Sequence, residues 1–191
     1  MSLTTQQYSL LKFVQDKLLG VRLKYTNDLY IHHCMDVASL VYDLKIPLAV
    51  EVALCHDLFE KSNCTPEELM KYLEKDAGYS IKEAKKITRF SQHLTDTYTS
   101  NAYPEMNRES RKKRESNRIS KKGPIVQTIK YADLIVNFVR SANYAPNFAK
   151  TFEKEFIYFL ERNMKGHPKL YARCWEILEW YETFKPKEKV K

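Results

Sequence analysis

Apolar residues recur at helical spacing along nearly the whole 191-residue chain, and no run shows the period-two alternation of a strand. That pattern confines the chain to an all-α architecture. Tyr8, Leu11, Val14, Leu18 and Leu19 make an opening amphipathic helix that ends near Gly20. A second helix runs over 29–44 through Ile31, Val37, Leu40, Val41 and Leu44. Pro47 suits the first turn of a third, which carries Val50, Val52, Ala53, Leu54 and Leu58. Thr65-Pro66-Glu67-Glu68 reads as the N-cap, N1 proline and acidic first turn of a fourth. Further helices are predicted over 80–90, in the basic stretch after Pro104, over 125–140 behind the Gly123-Pro124 break, and over 147–163 and 168–184. With no internal repeat and no low-complexity linker, the reading is one helical bundle of about eight or nine helices. It spans residues 1–184 and leaves 185–191 as a basic, disordered tail. The length fits one domain and supports a core without staples.

The formal net charge of +8 is unevenly placed. Residues 104–122 hold 8 basic and 3 acidic side chains, and residues 185–191 hold 4 and 1, which accounts for the whole excess. A single basic cluster on a neutral body fits a compact anionic small molecule better than nucleic acid. No stretch approaches the ~18 apolar residues of a membrane span. The N-terminus lacks a basic region followed by a long apolar run, so a cytoplasmic location is expected. Cys34, Cys55, Cys64 and Cys174 form no CxxC pair, which argues against a zinc ribbon or a redox motif. Trp175 and Trp180, with Tyr171, Ile177, Leu178 and Tyr181, mark a C-terminal helix face that either docks on the domain or carries a homodimer contact.

Three apolar helices carry polar residues that do not belong in a core. His56 and Asp57 sit in AVEVALCHDLF, and Asp133 sits in IVQTIKYADLIVNFV with Asn137 one turn on, on the same face. Adjacent His32 and His33 lie on the second helix, and only one of them can face inward. A buried carboxylate needs a partner, and one divalent cation would satisfy a histidine, the His-Asp pair and Asp133 together. Mixed histidine and carboxylate ligands suit Mn²⁺, Fe²⁺ or Zn²⁺ better than Ca²⁺.

The order H…HD…D resembles the HD-domain phosphohydrolases, and more closely the hydrolase domain of the RelA/SpoT-type alarmone enzymes and their small stand-alone relatives. The stretches that carry the resemblance are Tyr30-Ile31-His32-His33-Cys34-Met35-Asp36-Val37-Ala38, Ala53-Leu54-Cys55-His56-Asp57-Leu58-Phe59-Glu60-Lys61 and Lys130-Tyr131-Ala132-Asp133-Leu134-Ile135-Val136-Asn137. Thr95-Asp96 matches a turn after the fifth helix, and the likeness covers roughly residues 5–165. It implies a manganese-dependent 3′-pyrophosphohydrolase of guanosine tetra- or pentaphosphate, with His33, His56, Asp57 and Asp133 on the metal. In that register Glu60 positions or deprotonates the attacking water, and Asn137 contacts the nucleotide. Substrate contacts are expected from Lys17, Thr95, Asp96, Arg108, Arg111, Lys112, Arg114 and Arg140.

The sequence also departs from the family. Lys61 replaces the second carboxylate of a Glu-Asp pair and is expected at the catalytic centre, where it can bind a further phosphate. Asp16-Lys17 stands where an Arg-Lys pair holds the base. Leu134 replaces a basic residue, and Val139, beside Arg140, replaces an arginine. Two other readings therefore stand beside the alarmone hydrolase. One is an HD phosphohydrolase of another nucleotide, and the other is a nucleotide- or nucleic-acid-binding module with a degenerate site.

Overall fold

The computed structural model describes residues 1–184, so the expected basic tail lies outside the described residues. Ten helices fill them: α1 (Thr5–Lys17), α2 (Tyr30–Tyr42), α3 (Ala49–Cys55), α4 (Leu58–Lys61), α5 (Pro66–Lys75), α6 (Ile81–Leu94), α7 (Arg108–Ser120), α8 (Pro124–Tyr144), α9 (Pro146–Leu160) and α10 (Pro168–Phe184). No strand is present among the described residues, where extended pairing is limited to one isolated bridge between Arg22 and Leu29. None of these helices is long and apolar enough to cross a membrane.

The helix starts follow local chemistry. Thr4 and Gln7 form a reciprocal capping box on α1, and Ser80 and Glu83 form another on α6. Thr65 caps α5, with Pro66 in its first turn, where a missing N–H costs nothing. The helix expected from Pro47 through Leu58 is interrupted. Helix α3 ends at Cys55 and α4 begins at Leu58; between them His56 keeps helical dihedrals (φ −58°, ψ −35°) and Asp57 departs from them (φ −105°, ψ 2°), so the pair occupies a turn. The Asp57 carbonyl accepts the N–H groups of Glu60 (3.1 Å) and Lys61 (2.9 Å), which restarts the chain as α4. This break is why there are ten helices.

The 21-residue α8 is the axis of the bundle and packs on α2, α3, α6, α7, α9 and α10. Val37 of α2, Leu54 of α3, Ile87 of α6, Ile129 and Phe138 of α8, and Phe156 of α9 are fully buried in one continuous core. On α10, Ile177, Leu178 and Tyr181 are buried while Trp180 is exposed, so the C-terminal helix docks on the domain and α8 is its principal support.

The loop after α9 closes over α8 through Tyr131. Its fully buried phenol donates to the Asn163 carbonyl, and the Gly166 N–H donates back to the phenol oxygen (3.3 Å). A Cβ on Gly166 would lie 2.2 Å from the Tyr131 ring, which has no room to retreat. Gly166→Ala is therefore expected to lower the unfolding free energy by ~1–3 kcal/mol in denaturant titrations. An unchanged midpoint would show that the loop can lift off α8.

Candidate metal centre

Three elements bring four polar side chains to one buried point. His33 comes from the inward stripe of α2, which also buries Cys34, Val37 and Ala38, while His32 faces out. His56 and Asp57 come from the α3–α4 turn, and Asp133 comes from the middle of α8. His33 and His56 place their Nε2 atoms 3.1 Å apart. Asp57 Oδ2 lies 3.3 Å from His56 Nε2 and 3.6 Å from His33 Nε2. Asp133 Oδ1 lies 3.2 Å from His33 Nε2 and 3.6 Å from His56 Nε2.

These spacings suit one cation. Donors around a small transition ion, with bonds of ~2.0–2.2 Å, stand ~3.0–3.6 Å from their neighbours. Potential ligand atoms of His33, His56 and Asp57 all fall within 4.8 Å of one another, and Asp133 reaches both imidazoles from α8. His56 Nδ1 lies 2.7 Å from the Ala53 carbonyl, and donating there leaves the Nε2 lone pair for the centre. Two buried imidazole nitrogens and two carboxylate oxygens form a borderline donor set suited to Mn²⁺, Fe²⁺ or Zn²⁺.

The charges gathered at this point support one another. Burial alone would push the His56 imidazole down, but Asp57 and Asp133 raise it to about 10. Burial would likewise raise both aspartates. Instead His56 beside Asp57, and Lys130 beside Asp133, hold their carboxyls below the usual carboxylate range.

The groups that steady the ligands sit one helical turn away. Tyr30, three residues before His33, donates its phenol to Asp57 Oδ2. Lys130, three residues before Asp133, donates to Asp133 Oδ2 (2.9 Å) and lies 3.9 Å from Asp96. Asn137, one turn beyond, donates to Asp133 Oδ1 (2.5 Å), so the i, i+4 expectation holds in space. The roles of Tyr30 and Lys130 escaped the sequence reading. The signal was there, since each is a polar residue on the face of a proposed ligand inside an apolar run.

Above the four ligands opens a cavity of about 380 Å³. Asp57 and Asp133 line it, together with Glu60, Lys61, Asp96, Arg108, Lys112 and Asn137 from the expected set. Glu60 Oε1 accepts from Lys61 (2.6 Å), and Oε2 faces the Asp96 N–H (3.4 Å). Lys112 pairs with Asp96 (2.7 Å), and Arg108 makes two bonds to Glu155 (2.7 and 2.9 Å). Lys24 and Tyr25, from the α1–α2 loop, also line it and were not anticipated.

Five expected contacts do not face this cavity. Lys17 binds Glu68 of α5 at 2.5 Å, because the two helices pack there and leave each charge a partner. Thr95 closes α6, donating its hydroxyl to the Ser91 carbonyl (3.1 Å). Arg111 bonds to the Met106 carbonyl, and Arg114 lies over the Tyr98 ring (5.6 Å). On α7 Arg108 and Lys112 are one turn apart on the cavity side and Arg114 lies off that stripe, whereas Arg111, i+3 from Arg108, is drawn back by its bond to the Met106 carbonyl. Arg140 is turned into a groove between α2 and α8, 3.4 Å from His33 Nδ1 and 3.5 Å from Asp36. There it lies behind His33 and does not line the cavity.

The folded His56 value stands above the ~6.5 of an unfolded imidazole. Its stabilising contribution is therefore complete below pH ~6.5 and is lost as pH rises through about 10. Metal-free protein is expected to lose stability from neutral pH toward pH 10 in denaturant titrations. Over the same range Mn²⁺ affinity should rise, with proton release visible by calorimetry in buffers of different ionisation enthalpy. An affinity flat with pH would contradict this donor set.

No family model matches the chain, and no curated protein matches it in sequence. Among solved structures it is similar to a metazoan orthologue of SpoT, a protein described as hydrolysing ppGpp and playing a role in starvation responses. The superposition has a TM-score of 0.76 at 14% identity and covers 96% of this chain and 99% of the other. The chain therefore has the all-helical fold of that hydrolase over essentially its whole described length.

Proposed function

We propose that the chain is a divalent-metal-dependent phosphohydrolase of the HD-domain alarmone type. Its substrate in this reading is guanosine 3′,5′-bis(diphosphate), from which it releases the 3′ pyrophosphate. The observation that carries the reading is the convergence of His33, His56, Asp57 and Asp133 beneath a cavity walled by Lys24, Lys61, Arg108, Lys112 and Lys130. The shared fold with a protein described as a ppGpp hydrolase supports it. A soluble, cytoplasmic nucleotide enzyme is consistent with this.

Held by His33, His56, Asp57 and Asp133, a divalent ion, manganese in this reading, would supply a Lewis acid that acidifies the attacking water and screens the phosphoryl oxygens. The protein side chains do the rest. Tyr30 and Lys130 fix the carboxylates of Asp57 and Asp133. Glu60, poised between Lys61 and the Asp96 N–H, takes the proton of the attacking water. When Glu60 exchanges Lys61 for that water, the Lys61 ammonium becomes free to bind a phosphoryl oxygen. The bond between phosphorus and the ribose 3′ oxygen breaks, the water oxygen joins phosphorus, and the proton returns to the 3′ oxygen. Lys112 and Arg108 hold the departing pyrophosphate by exchanging their Asp96 and Glu155 partners for it.

One set of observations favours a second reading, the same chemistry on another nucleotide. Lys17 is bound to Glu68 away from the cavity, and Lys61 stands where the family has a carboxylate. Both changes touch substrate recognition and leave the ligands intact. A binding module with a degenerate site is less favoured, because nothing in helix packing requires four converging donors.

A hydrolysis screen with Mn²⁺ over guanosine tetraphosphate, ordinary nucleoside phosphates and dinucleotides separates these readings. Guanosine tetraphosphate is expected to release pyrophosphate, with kcat/KM falling at least ~100-fold in His56→Ala and Asp133→Ala. Release from a different nucleotide alone would select the second reading. No phosphate or pyrophosphate from any of them would end the enzyme proposal. Lys61→Asp is expected to raise KM about tenfold through loss of a charged hydrogen bond.

A further inference from the structure

A further cavity, of about 530 Å³, opens between α7 and α9. Helical spacing builds it. On α7, Arg108 and Lys112 stand one turn apart, and so do Glu109 and Lys113. On α9, Thr151, Lys154, Glu155 and Tyr158 fall at i, i+3, i+4 and i+7, which makes one face over two turns. Arg108, Lys112 and Glu155 also line the cavity above the metal ligands, so these three side chains form the partition between the two spaces. The remaining residues line the groove and not that cavity.

Four cations and two carboxylates face the groove, so positive charge exceeds negative by two. Arg108 bonds Glu155 through Nε and Nη2, which leaves Nη1 without a bond among the described residues. Lys113 pairs with Glu109 at 2.5 Å, but both are exposed, and water-facing pairs exchange partners at little cost. Among the described residues Lys154 has no ion pair, and the Thr151 and Tyr158 hydroxyls have no hydrogen bond. Two helices thus present unpartnered donors to one concave space. Such donors call for a ligand rich in acceptor oxygens and negative charge. A compact oligophosphate meets both helices at once, and the volume lies in the range of small-molecule sites. The carboxylates of an acidic peptide instead stand on separate side chains, each ordered at an entropic cost.

We propose that the groove between α7 and α9 is a second anion site, for a compact oligophosphate, which needs no metal and competes with the catalytic cavity for Arg108. Binding at the groove is independent of the phosphohydrolase reading, and only the coupling rests on it. In that reading Arg108 holds the departing pyrophosphate. An oligophosphate on the groove side engages the same guanidinium, so a filled groove weakens catalysis. By reciprocity, an anion in the cavity weakens the groove. The site is therefore inhibitory, and Lys113 and Lys154 set its affinity without touching the substrate.

Calorimetric titration of the full chain with inorganic triphosphate, in EDTA so that no metal contributes, tests the site. Lys154→Glu and Lys113→Glu are each expected to weaken triphosphate at least ~10-fold, and Thr151→Ala about threefold. Lys154→Arg should stay within about threefold of wild type, and Lys61→Ala, in the catalytic cavity, within about twofold. Binding that survives Lys154→Glu and Lys113→Glu but is lost in Lys61→Ala would place the anion in the catalytic cavity and overturn the groove. So would no binding up to about 1 mM triphosphate. The coupling is read from nucleotide hydrolysis with free Mn²⁺ held constant. Triphosphate is expected to inhibit. Lys154→Glu should keep the uninhibited kcat/KM within about twofold while raising the inhibitory concentration at least ~10-fold. Equal inhibition of Lys154→Glu and wild type would overturn the coupling. Triphosphate binding that depends on Lys154 in a chain that hydrolyses no nucleotide would remove the phosphohydrolase reading and keep the groove.

Discussion

The rest of the structure is organised around two carboxylates and two imidazoles buried at one point. Burying ionised groups costs several kcal/mol each unless charge and hydrogen bonds compensate. Here the compensation is local. Tyr30 stands one turn before His33 and reaches across to Asp57, while Lys130 and Asn137 flank Asp133 on α8. The break after Cys55 belongs to the same arrangement. Neighbouring residues in an unbroken helix point about 100° apart. The departure from helical geometry at Asp57 brings its side chain to the same centre as that of His56.

The charge of the chain follows a similar logic. The basic helix α7 is not a uniform patch, because its faces do different work. Arg108 and Lys112 face the cavity with acidic partners, Glu155 and Asp96, that a phosphate can replace. Arg118 instead ties the end of α6 to α7, through the His93 and Thr95 carbonyls and the buried carboxylate of Glu115. That cation is structural. Its presence inflates the apparent anion-binding capacity of the helix, and a count of charges along the sequence cannot separate it from Arg108 and Lys112.

What was legible in the sequence was whatever depends on periodicity. The all-helical fold and the cap at Thr65 follow from spacing along one element, and the order H…HD…D was read from polar residues inside apolar runs and from the family resemblance. The choice of His33 over His32 follows from family register, and the burial of His33 agrees with it. What was not legible depends on where long side chains meet across space. Lys17 finds Glu68, and Arg140 finds His33 and Asp36, through helix packing that no local pattern encodes. Tyr25 enters the cavity because its loop turns back at Asn27, a geometry set by a bridge between residues 22 and 29. The helix break after Cys55 was hidden for a related reason, since apolar spacing continues through it to Leu58.

The central claim is that these four side chains hold one divalent ion, and anomalous diffraction from Mn²⁺-soaked crystals at the manganese edge tests it most directly. The account predicts a single peak bounded by His33 Nε2, His56 Nε2, Asp57 Oδ2 and Asp133 Oδ1, at ~2.0–2.3 Å from each. A map with no peak there, or with manganese held only by surface carboxylates, would contradict it.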